Sequence, residues 1–172
     1  MKTVGRWAVI LVAAAACGGE ESTPVLDEPA PAQSPAPPEE GETLTVTSPA
    51  FGEGDTVPTE FTCRGDDTSA PLEWSGVPED AAELRLTLTD PDAPGSTFTH
   101  WVVTGIDPAT TGVEAGEVPE GGTEEENSFG ETAYGGPCPP AGPAHTYIWT
   151  VEAVSQDDQV ISAGVLTAEF GT

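Results

Sequence analysis

Apolar and polar residues alternate along much of the chain from Thr43 onward. The stretch 84–88, Leu-Arg-Leu-Thr-Leu, places every second side chain on one face, which is typical of a strand with one buried side. The other predicted strands are rich in aromatic and β-branched residues and span 44–46, 99–106, 146–154 and 165–170. Glycine and proline turns separate these runs, and helical periodicity is nearly absent. The pattern predicts an all-β domain.

The beginning of the chain has a different texture. After a basic start, the apolar run Trp7–Ala16 is too short to cross a bilayer, which takes about 20 residues. This pattern is typical of a secretory signal peptide over residues 1–16. Residues 17–42 are rich in Pro, Ala and Glu and cannot bury enough apolar surface to form a core, so they predict a disordered tether. One β domain is expected over residues 43–172.

Cys17 follows the apolar run and precedes two glycines, an arrangement that resembles the lipobox of bacterial lipoproteins. An ordinary signal peptide cut after Ala16 is the alternative. Three cysteines in an exported chain leave one unpaired, whereas a lipid on Cys17 leaves an even number. The sequence therefore predicts an exported lipoprotein of the cell envelope, in the periplasm or on the outer cell surface, that is anchored to a membrane without spanning it.

The formal net charge is −26, and only four residues are Lys or Arg. Two of these four lie in the basic start, which leaves Arg64 and Arg85 for the domain. Without a basic patch to displace counterions, nucleic acid is excluded as a partner. The acidity is most simply explained by solvation and solubility outside the cell.

The two histidines of the chain each lie in a run that joins a Pro/Gly-rich turn to an aromatic strand. His100 belongs to the run 90–103, and His145 to the run 134–149. Turns of this kind fix backbone donors, strand ends aim side chains, and aromatic rings exclude water. The alternative is that each histidine only caps a strand end. Two such runs in one chain favour a concave binding site.

These motifs, in this order, resemble the phosphatidylethanolamine-binding protein family, and more closely its bacterial branch of Raf-kinase-inhibitor-like proteins of the YbhB/YbcL type. The matching runs are Asp90–Pro94, Phe98–Trp101, Gly135–Pro140 with His145 and Tyr147, and the supporting segments Phe61–Trp74, Gly76–Pro78 and Asn127–Gly130. The resemblance extends from about residue 48 to residue 154. It implies a large antiparallel sheet packed on a smaller one, with few or no helices and a small anion-accepting cavity.

The resemblance also implies which residues form that cavity. The ligand-binding set is Asp90, His100, Pro140, His145 and Tyr147, and the supporting set is Asp92, Trp101 and Gly136. The expected ligand is a small anion or a phosphorylated headgroup, held by histidine and backbone N–H donors, and no cofactor is expected. Because a protonated imidazole favours an anion, we expect such ligands to bind more weakly as the pH rises past about 7.

Cys63 and Cys138 lie in two motif loops that the family fold would bring near each other. In an exported protein a disulfide is the natural interpretation. The rival is a zinc site made from the two cysteines and the two histidines. Their spacing is scattered, without a CxxC or HxxxH cluster, so no metal is expected.

Two departures from the family pattern bear on the site. Thr146 stands where the family commonly has arginine, which removes a cation near the ligand. Few residues follow Val154, so the helix that many relatives insert before their last strand is expected to be absent. The mouth of the cavity would then be more open, or that sheet edge would be covered differently.

The sequence predicts a binding protein and not an enzyme. Asp90 and Asp92 could be taken as a catalytic carboxylate pair, but the prolines around them indicate a rigid turn. GxSxG, Walker and HExxH motifs do not occur in the sequence. Two alternatives stay open: an inhibitor of an extracytoplasmic peptidase, which relatives include, and a hydrolase that uses the His/Asp cluster.

Overall fold

The structure is a computed structural model that describes residues 43–171. Two antiparallel sheets pack against each other around one core. The strands are β1 (Thr45–Thr47), β2 (Leu72–Ser75), β3 (Glu83–Asp90), β4 (Phe98–Ile106), β5 (Gly112–Val113), β6 (Thr123–Glu124), β7 (His145–Val154) and β8 (Val160–Phe170). A short 3-10 turn, Thr59–Phe61, is the one helical element in this part of the chain.

The smaller sheet has the strand order β1-β2-β5, and the larger sheet has the order β6-β4-β3-β7-β8. Neighbouring strands in both sheets run antiparallel. This confirms the predicted fold class, a large antiparallel sheet packed on a smaller one. The long strands β3, β4 and β7 lie within two residues of the predicted bounds. Strand β3 alternates apolar and polar residues throughout, and β4 and β7 are long runs rich in aromatic and β-branched residues.

Strands β3 and β7 show how the alternation builds the core. Leu84, Leu86 and Leu88 are fully buried, while Arg85 and Thr87 between them face the other side of the sheet. Strand β7 pairs with β3 and repeats the pattern with its own buried row. A period of two residues therefore turns one face of the large sheet toward the small sheet.

Three tryptophans form the centre of the core. Trp74 lies on the small sheet and Trp101 and Trp149 on the large one, and each is at most 3% exposed. The ring of Phe51 packs on Trp149 with 5.1 Å between ring centroids. Rings of this size bury a large apolar area, which stabilises the contact between the two sheets.

Strands β7 and β8 form a long hairpin closed by the turn 155–159, where Ser155 donates to the carbonyl of Gln159. Within the described residues no helix precedes the last strand, as expected. Strand β8 begins at Val160 and not at Val165 as predicted. The small residues just after its start break the apolar pattern, and Gly164 is required there because a Cβ would lie 2.5 Å from the Leu44 carbonyl oxygen.

Some predictions concern parts of the chain outside the described residues. These are the signal peptide over 1–16, the lipid on Cys17, and the tether over 17–42. Among residues 43–171, no helix has the length and apolar character needed to cross a membrane.

Candidate functional site

The ends of three inner strands, β4, β3 and β7, lie together at one end of the large sheet. Strand β3 ends at Asp90, β4 begins opposite it at Phe98, and β7 begins at His145. Asp90 continues the inward-facing row of β3, and His145 and Tyr147 continue the inward-facing row of β7. At this end of the sheet, polar side chains therefore occupy positions that are filled by apolar ones further along both strands.

Asp90 and His145 form a close pair. The Nδ1 atom of His145 lies 2.7 Å from Oδ2 of Asp90, and their side chains are 11% and 5% exposed. The carboxylate holds the imidazole by Nδ1, so the ring turns its Nε2 edge away from Asp90. No described residue hydrogen-bonds that Nε2 atom. Asp90 therefore orients the imidazole of His145.

Asp92 supports this pair through the backbone. Its N–H donates to Oδ1 of Asp90 at 2.9 Å, and its own Oδ2 accepts from the N–H of Thr146 at 2.8 Å. The backbone N–H and then the hydroxyl of Thr146 hold the pKa of Asp92 below its usual value. Both oxygens of Asp90 are thus engaged, and Thr146 is committed to Asp92.

His100 enters the site through a β-bulge in β4. Trp101 lies opposite Leu88 and Thr99 opposite Thr89, so His100 is the extra residue between two paired positions. A bulge bends the strand and re-aims a side chain, and bulges are common next to binding sites. Here the bulge leaves His100 buried, at 3% exposed, beside the ring of Tyr147.

The loop residue Gly135 fixes the orientation of the His100 ring. Nδ1 of His100 lies 2.7 Å from the Gly135 carbonyl oxygen, and the Gly135 N–H donates back to the His100 carbonyl at 3.1 Å. Because a carbonyl can only accept, Nδ1 carries the proton. Burial lowers the pKa of His100, and the Gly135 carbonyl only partly offsets this. Near neutral pH the ring is therefore mainly uncharged, with a lone pair on Nε2.

Tyr147 contributes a buried hydroxyl without a well-formed hydrogen bond among the described residues. Its side chain is fully buried, and its ring meets the His100 ring edge-on with 5.3 Å between centroids. The hydroxyl lies near the Asp90 carboxylate and the backbone of Cys138, but it makes no well-formed hydrogen bond with any described residue. Burial raises the pKa of Tyr147, and the charge of Asp90 adds to the rise. The phenol thus keeps its proton at all physiological pH values.

Two further aromatic rings stand beside His100. Phe98 and Phe129 contact each other edge-to-face at 4.7 Å, and their centroids lie 5.1 and 5.5 Å from that of His100. Phe129 is 49% exposed. These rings form an apolar rim next to the polar cluster. Neither had been predicted to line the site, although both lie in the matching motifs.

The disulfide between Cys63 and Cys138 is present, which confirms that prediction. It joins the segment after the 3-10 turn to the loop that carries Gly135. A backbone bond from Cys63 N–H to the Pro137 carbonyl, at 3.3 Å, reinforces the connection. The loop that orients His100 is therefore covalently attached to a second part of the core.

Gly136 acts as a supporting residue through close packing. Its N–H donates to Oδ1 of Asp67 at 2.8 Å. A Cβ at this position would lie 2.4 Å from that oxygen and 2.7 Å from the Phe61 carbonyl oxygen. Only glycine fits there without a shift of the loop.

Asn127 is a structural residue that the sequence argument missed. Its side-chain amide donates to the carbonyls of His100 and Ala133, and its Oδ1 accepts from the N–H groups of Phe129 and Glu131. The segment 127–130 matched the family motifs, but no role was predicted for Asn127. Asn127 holds the bulge and the aromatic rim in place together.

Two predicted residues do not join the cluster. Trp101 is buried in the core, where its indole N–H donates to Glu124 at 2.8 Å and its ring packs on Tyr134. Pro140 is exposed, and no hydrogen bond or ring contact links it to the other site residues in the described part of the chain. The structure thus brings together Asp90, His100, His145 and Tyr147, and leaves Pro140 at the margin.

The zinc alternative fails on chemistry, because Cys63 and Cys138 are joined and offer no thiolate. Among residues 43–171 no group of three or more His, Cys, Asp or Glu side chains could hold a metal ion. A groove of about 790 Å³ lies elsewhere, on the small sheet. Its lining includes Thr47, Glu73, Thr110 and Glu114 and no Arg, Lys or His, so it does not suit an anion.

Comparison with known proteins identifies the family. The profile of the family described as phosphatidylethanolamine-binding protein matches residues 47–171. A relative from Mycobacterium tuberculosis, named "Putative lipoprotein LppC", is 40% identical over 148 residues, which cover 83% of this chain and 73% of the relative. A "UPF0098 protein" from Methanothermobacter thermautotrophicus is 40% identical over 116 residues, covering 64% of this chain and 76% of the relative.

Solved structures agree with the sequence relatives. The crystal structure of Escherichia coli YbcL, described as a member of the mammalian PEBP family, superposes with a TM-score of 0.70 at 28% identity and covers 75% of this chain and 98% of YbcL. A PEBP homolog from Chlamydia trachomatis, CT736, gives a TM-score of 0.70 at 26% identity, covering 76% and 99% of the two chains. With the two-sheet fold and the motifs in family order, these matches show that the chain belongs to the phosphatidylethanolamine-binding protein family.

Proposed function

We propose that the domain binds a small anionic or phosphorylated ligand at Asp90, His100, His145 and Tyr147, without a chemical step. The observation that carries the proposal is the Tyr147 hydroxyl, which is buried and has no well-formed hydrogen bond within the described residues. A buried donor without a partner costs about 1–3 kcal/mol, so a ligand oxygen that accepts its hydrogen would recover that free energy.

The second donor is His145. Its Nδ1 is held by Asp90, so the doubly protonated ring presents an N–H at Nε2. His145 and Tyr147 are alternate residues of β7, which places their Cα atoms about 7 Å apart on the same face. Asp90 itself repels an anion little, because its charge is shared with His145 and with the Asp92 N–H. The pair is therefore suited to hold a phosphate oxygen next to Tyr147.

Calorimetric titration with inorganic phosphate and with phosphoethanolamine tests this proposal. We expect binding by the wild type and a loss of roughly tenfold or more in affinity for Tyr147→Phe and for His145→Gln. Thr150→Ala is the matched control on β7, because residue 150 faces the other side of the sheet. Absence of wild-type binding at millimolar concentrations, or equal affinities in all four proteins, would overturn the proposal.

The pH dependence gives an independent test. Because a protonated imidazole attracts an anion and a neutral one does not, we expect the affinity for phosphate to fall as the pH rises past about 7. The measurement is the dissociation constant at intervals between pH 5.5 and 8.5, with phosphate ionisation corrected by a parallel series with sulfate. A flat profile with both anions would exclude histidine as the donor.

We propose further that the protein is exported and anchored through a lipid on Cys17, with residues 17–42 as a tether and 43–172 as the binding domain. The name of the M. tuberculosis relative supports this location. Mass spectrometry of the mature N-terminus should find a lipid-modified Cys17 and no residues 1–16. Cys17→Ser should release the protein from the membrane fraction, and an unmodified membrane-bound N-terminus would contradict the proposal.

The Asp90–His145 pair also has the geometry of a general base, which is the observation that favours a hydrolase as the second candidate. No Ser, Thr or Cys side chain of the described residues hydrogen-bonds His145, so a protein nucleophile is lacking there. A water nucleophile would be required. Turnover of phosphoester substrates that is lost in His145→Gln would establish this candidate against the binding proposal.

A further inference from the structure

The described part of the chain contains two arginines and no lysine, and the two arginines are held differently. Arg85 is neutralised: its Nε donates to Glu83 at 2.7 Å, and its Nη2 pairs with Asp158. Arg64 is exposed and has no ion pair with any described residue. In a chain with 30 Asp and Glu residues and four Lys and Arg residues, an arginine without an ion pair is unusual.

Two contacts place the Arg64 guanidinium at the same end of the large sheet as the candidate site. Its Cζ lies 5.1 Å from the ring centroid of Phe170, and its Nη1 donates to the Gly171 carbonyl at 3.2 Å. Phe170 lies directly opposite His145 in the β7–β8 ladder. The guanidinium therefore stands one strand away from the Asp90–His145 pair, and four of its five N–H groups have no partner among the described residues.

The disulfide fixes the backbone of this arginine. Arg64 directly follows Cys63, which is bonded to Cys138 in the loop beside Tyr147. The positive charge of Arg64 also acts on the Tyr147 hydroxyl, where it opposes the rise in pKa that burial causes. Arg64 is thus held on the same side of the sheet as the proposed donors.

We infer that Arg64 is the cation of the anion site and a specificity-determining residue, and that the site selects a dianionic terminal phosphate over a singly charged phosphodiester. This inference rests on the proposed function. Thr146, next to His145, is committed to Asp92 and carries no charge. Arg64 supplies a positive charge from the segment that follows the 3-10 turn. The planar guanidinium can donate two parallel N–H groups to a phosphate, in addition to the single donors of His145 and Tyr147.

The test compares Arg64→Gln with Arg85→Gln, two substitutions that change the net charge equally. Titrations with methyl phosphate and with dimethyl phosphate are run on the wild type, Arg64→Gln, Arg64→Lys and Arg85→Gln. We expect Arg64→Gln to raise the dissociation constant for methyl phosphate roughly tenfold, equivalent to about 1.4 kcal/mol. Arg64→Lys should recover part of the loss. Arg85→Gln changes the net charge equally but should leave the affinity within about twofold, since Arg85 is already paired.

Each outcome separates this inference from the proposed function. If the wild type binds neither ester, both are overturned. If the wild type binds methyl phosphate and His145→Gln weakens it, but Arg64→Gln and Arg85→Gln are equal, only the role of Arg64 is overturned. Equal wild-type affinities for the two esters would overturn the selection of a dianion. Thermal melting of Arg64→Gln without ligand checks that the end of β8 remains folded, and Arg64→Lys provides the comparison if it does not.

Discussion

The two ends of the β3–β7 pair use the same inward-facing rows for opposite purposes. At one end the rows consist of leucine, valine and alanine, and they make the core of the sandwich. At the other end the same alternation places Asp90, His145 and Tyr147, which are buried but polar. The site is therefore the end of the core and not a feature added by loops. Apolar packing supports it on one side, and cross-linked loops hold it on the other.

The largest effect is expected from removing the cross-link at the polar end. Cys63→Ser combined with Cys138→Ser frees a loop spanned by 75 positions, and chain entropy puts the loss in unfolding free energy at about 4 kcal/mol at most. Urea unfolding at fixed pH measures the loss, and the reduced wild type should match the double variant. A loss below about 1 kcal/mol would show that the loops hold the site without the disulfide.

The next effect concerns the apolar end. Leu86→Ala removes a fully buried side chain from the β3 row and should lower the unfolding free energy by about 3 kcal/mol. Phosphate affinity of the folded protein should not change, because the site lies at the other end of the strand. Thr87→Ala, which faces the other side of the sheet, is the control and should cost less than about 1 kcal/mol. A large affinity loss in Leu86→Ala would mean that the two ends are not separable.

Replacing two tyrosines by phenylalanine should change the unfolding free energy by smaller amounts and in opposite directions. Tyr147→Phe removes a buried hydroxyl that lacks a well-formed hydrogen bond, so the unfolding free energy should rise by up to about 1 kcal/mol while ligand affinity falls. Tyr134→Phe removes a hydroxyl that donates to the Phe61 carbonyl at 2.7 Å and should lower stability by about 1 kcal/mol. Destabilisation by both substitutions would show that the Tyr147 hydroxyl has a partner after all.

The smallest effect is the pH dependence from His100. Burial lowers its pKa in the folded protein below the ordinary 6.5 of the unfolded chain. As the pH falls through 6.5, the unfolded chain takes up the proton first, so the stability contributed by the neutral ring is present above that pH and is lost below it. The difference in unfolding free energy between pH 7.5 and 5.5 should be smaller in His100→Asn. An unchanged difference would mean that burial does not lower the pKa of His100 in the folded protein.

The sequence predicted the fold where periodicity was long enough to detect. Strands β3, β4 and β7 were placed nearly at their observed bounds, whereas β2, β5 and β6 were not predicted. Strands β5 and β6 have two residues each, which are too few to establish a period. The first half of β8 was missed because Ser162, Ala163 and Gly164 resemble a turn. Gly164 is instead required where Leu44, just before β1, crosses the strand.

The site was predictable as a set of residues but not as an arrangement. The motifs predicted that Asp90, His100, His145 and Tyr147 belong to one site, and in the structure these residues lie at one end of the large sheet. The bulge at His100 could not be predicted, since an extra residue in a ladder depends on the partner strand. Backbone contacts connect Asn127 and Gly135 to His100, and Arg64 contacts the end of a distant strand. Neither kind of contact produces a periodic pattern in the sequence.

The tight turn 155–159 has a consequence for how the chain folds. It lets β7 and β8 meet by closing a very short loop, whereas β3 must find β7 across a gap of more than fifty residues. Loop closure costs entropy that grows with the length closed, so the hairpin should form first and serve as a template for β3. Nucleation at this hairpin would delay completion of the fold until β8 has been synthesised.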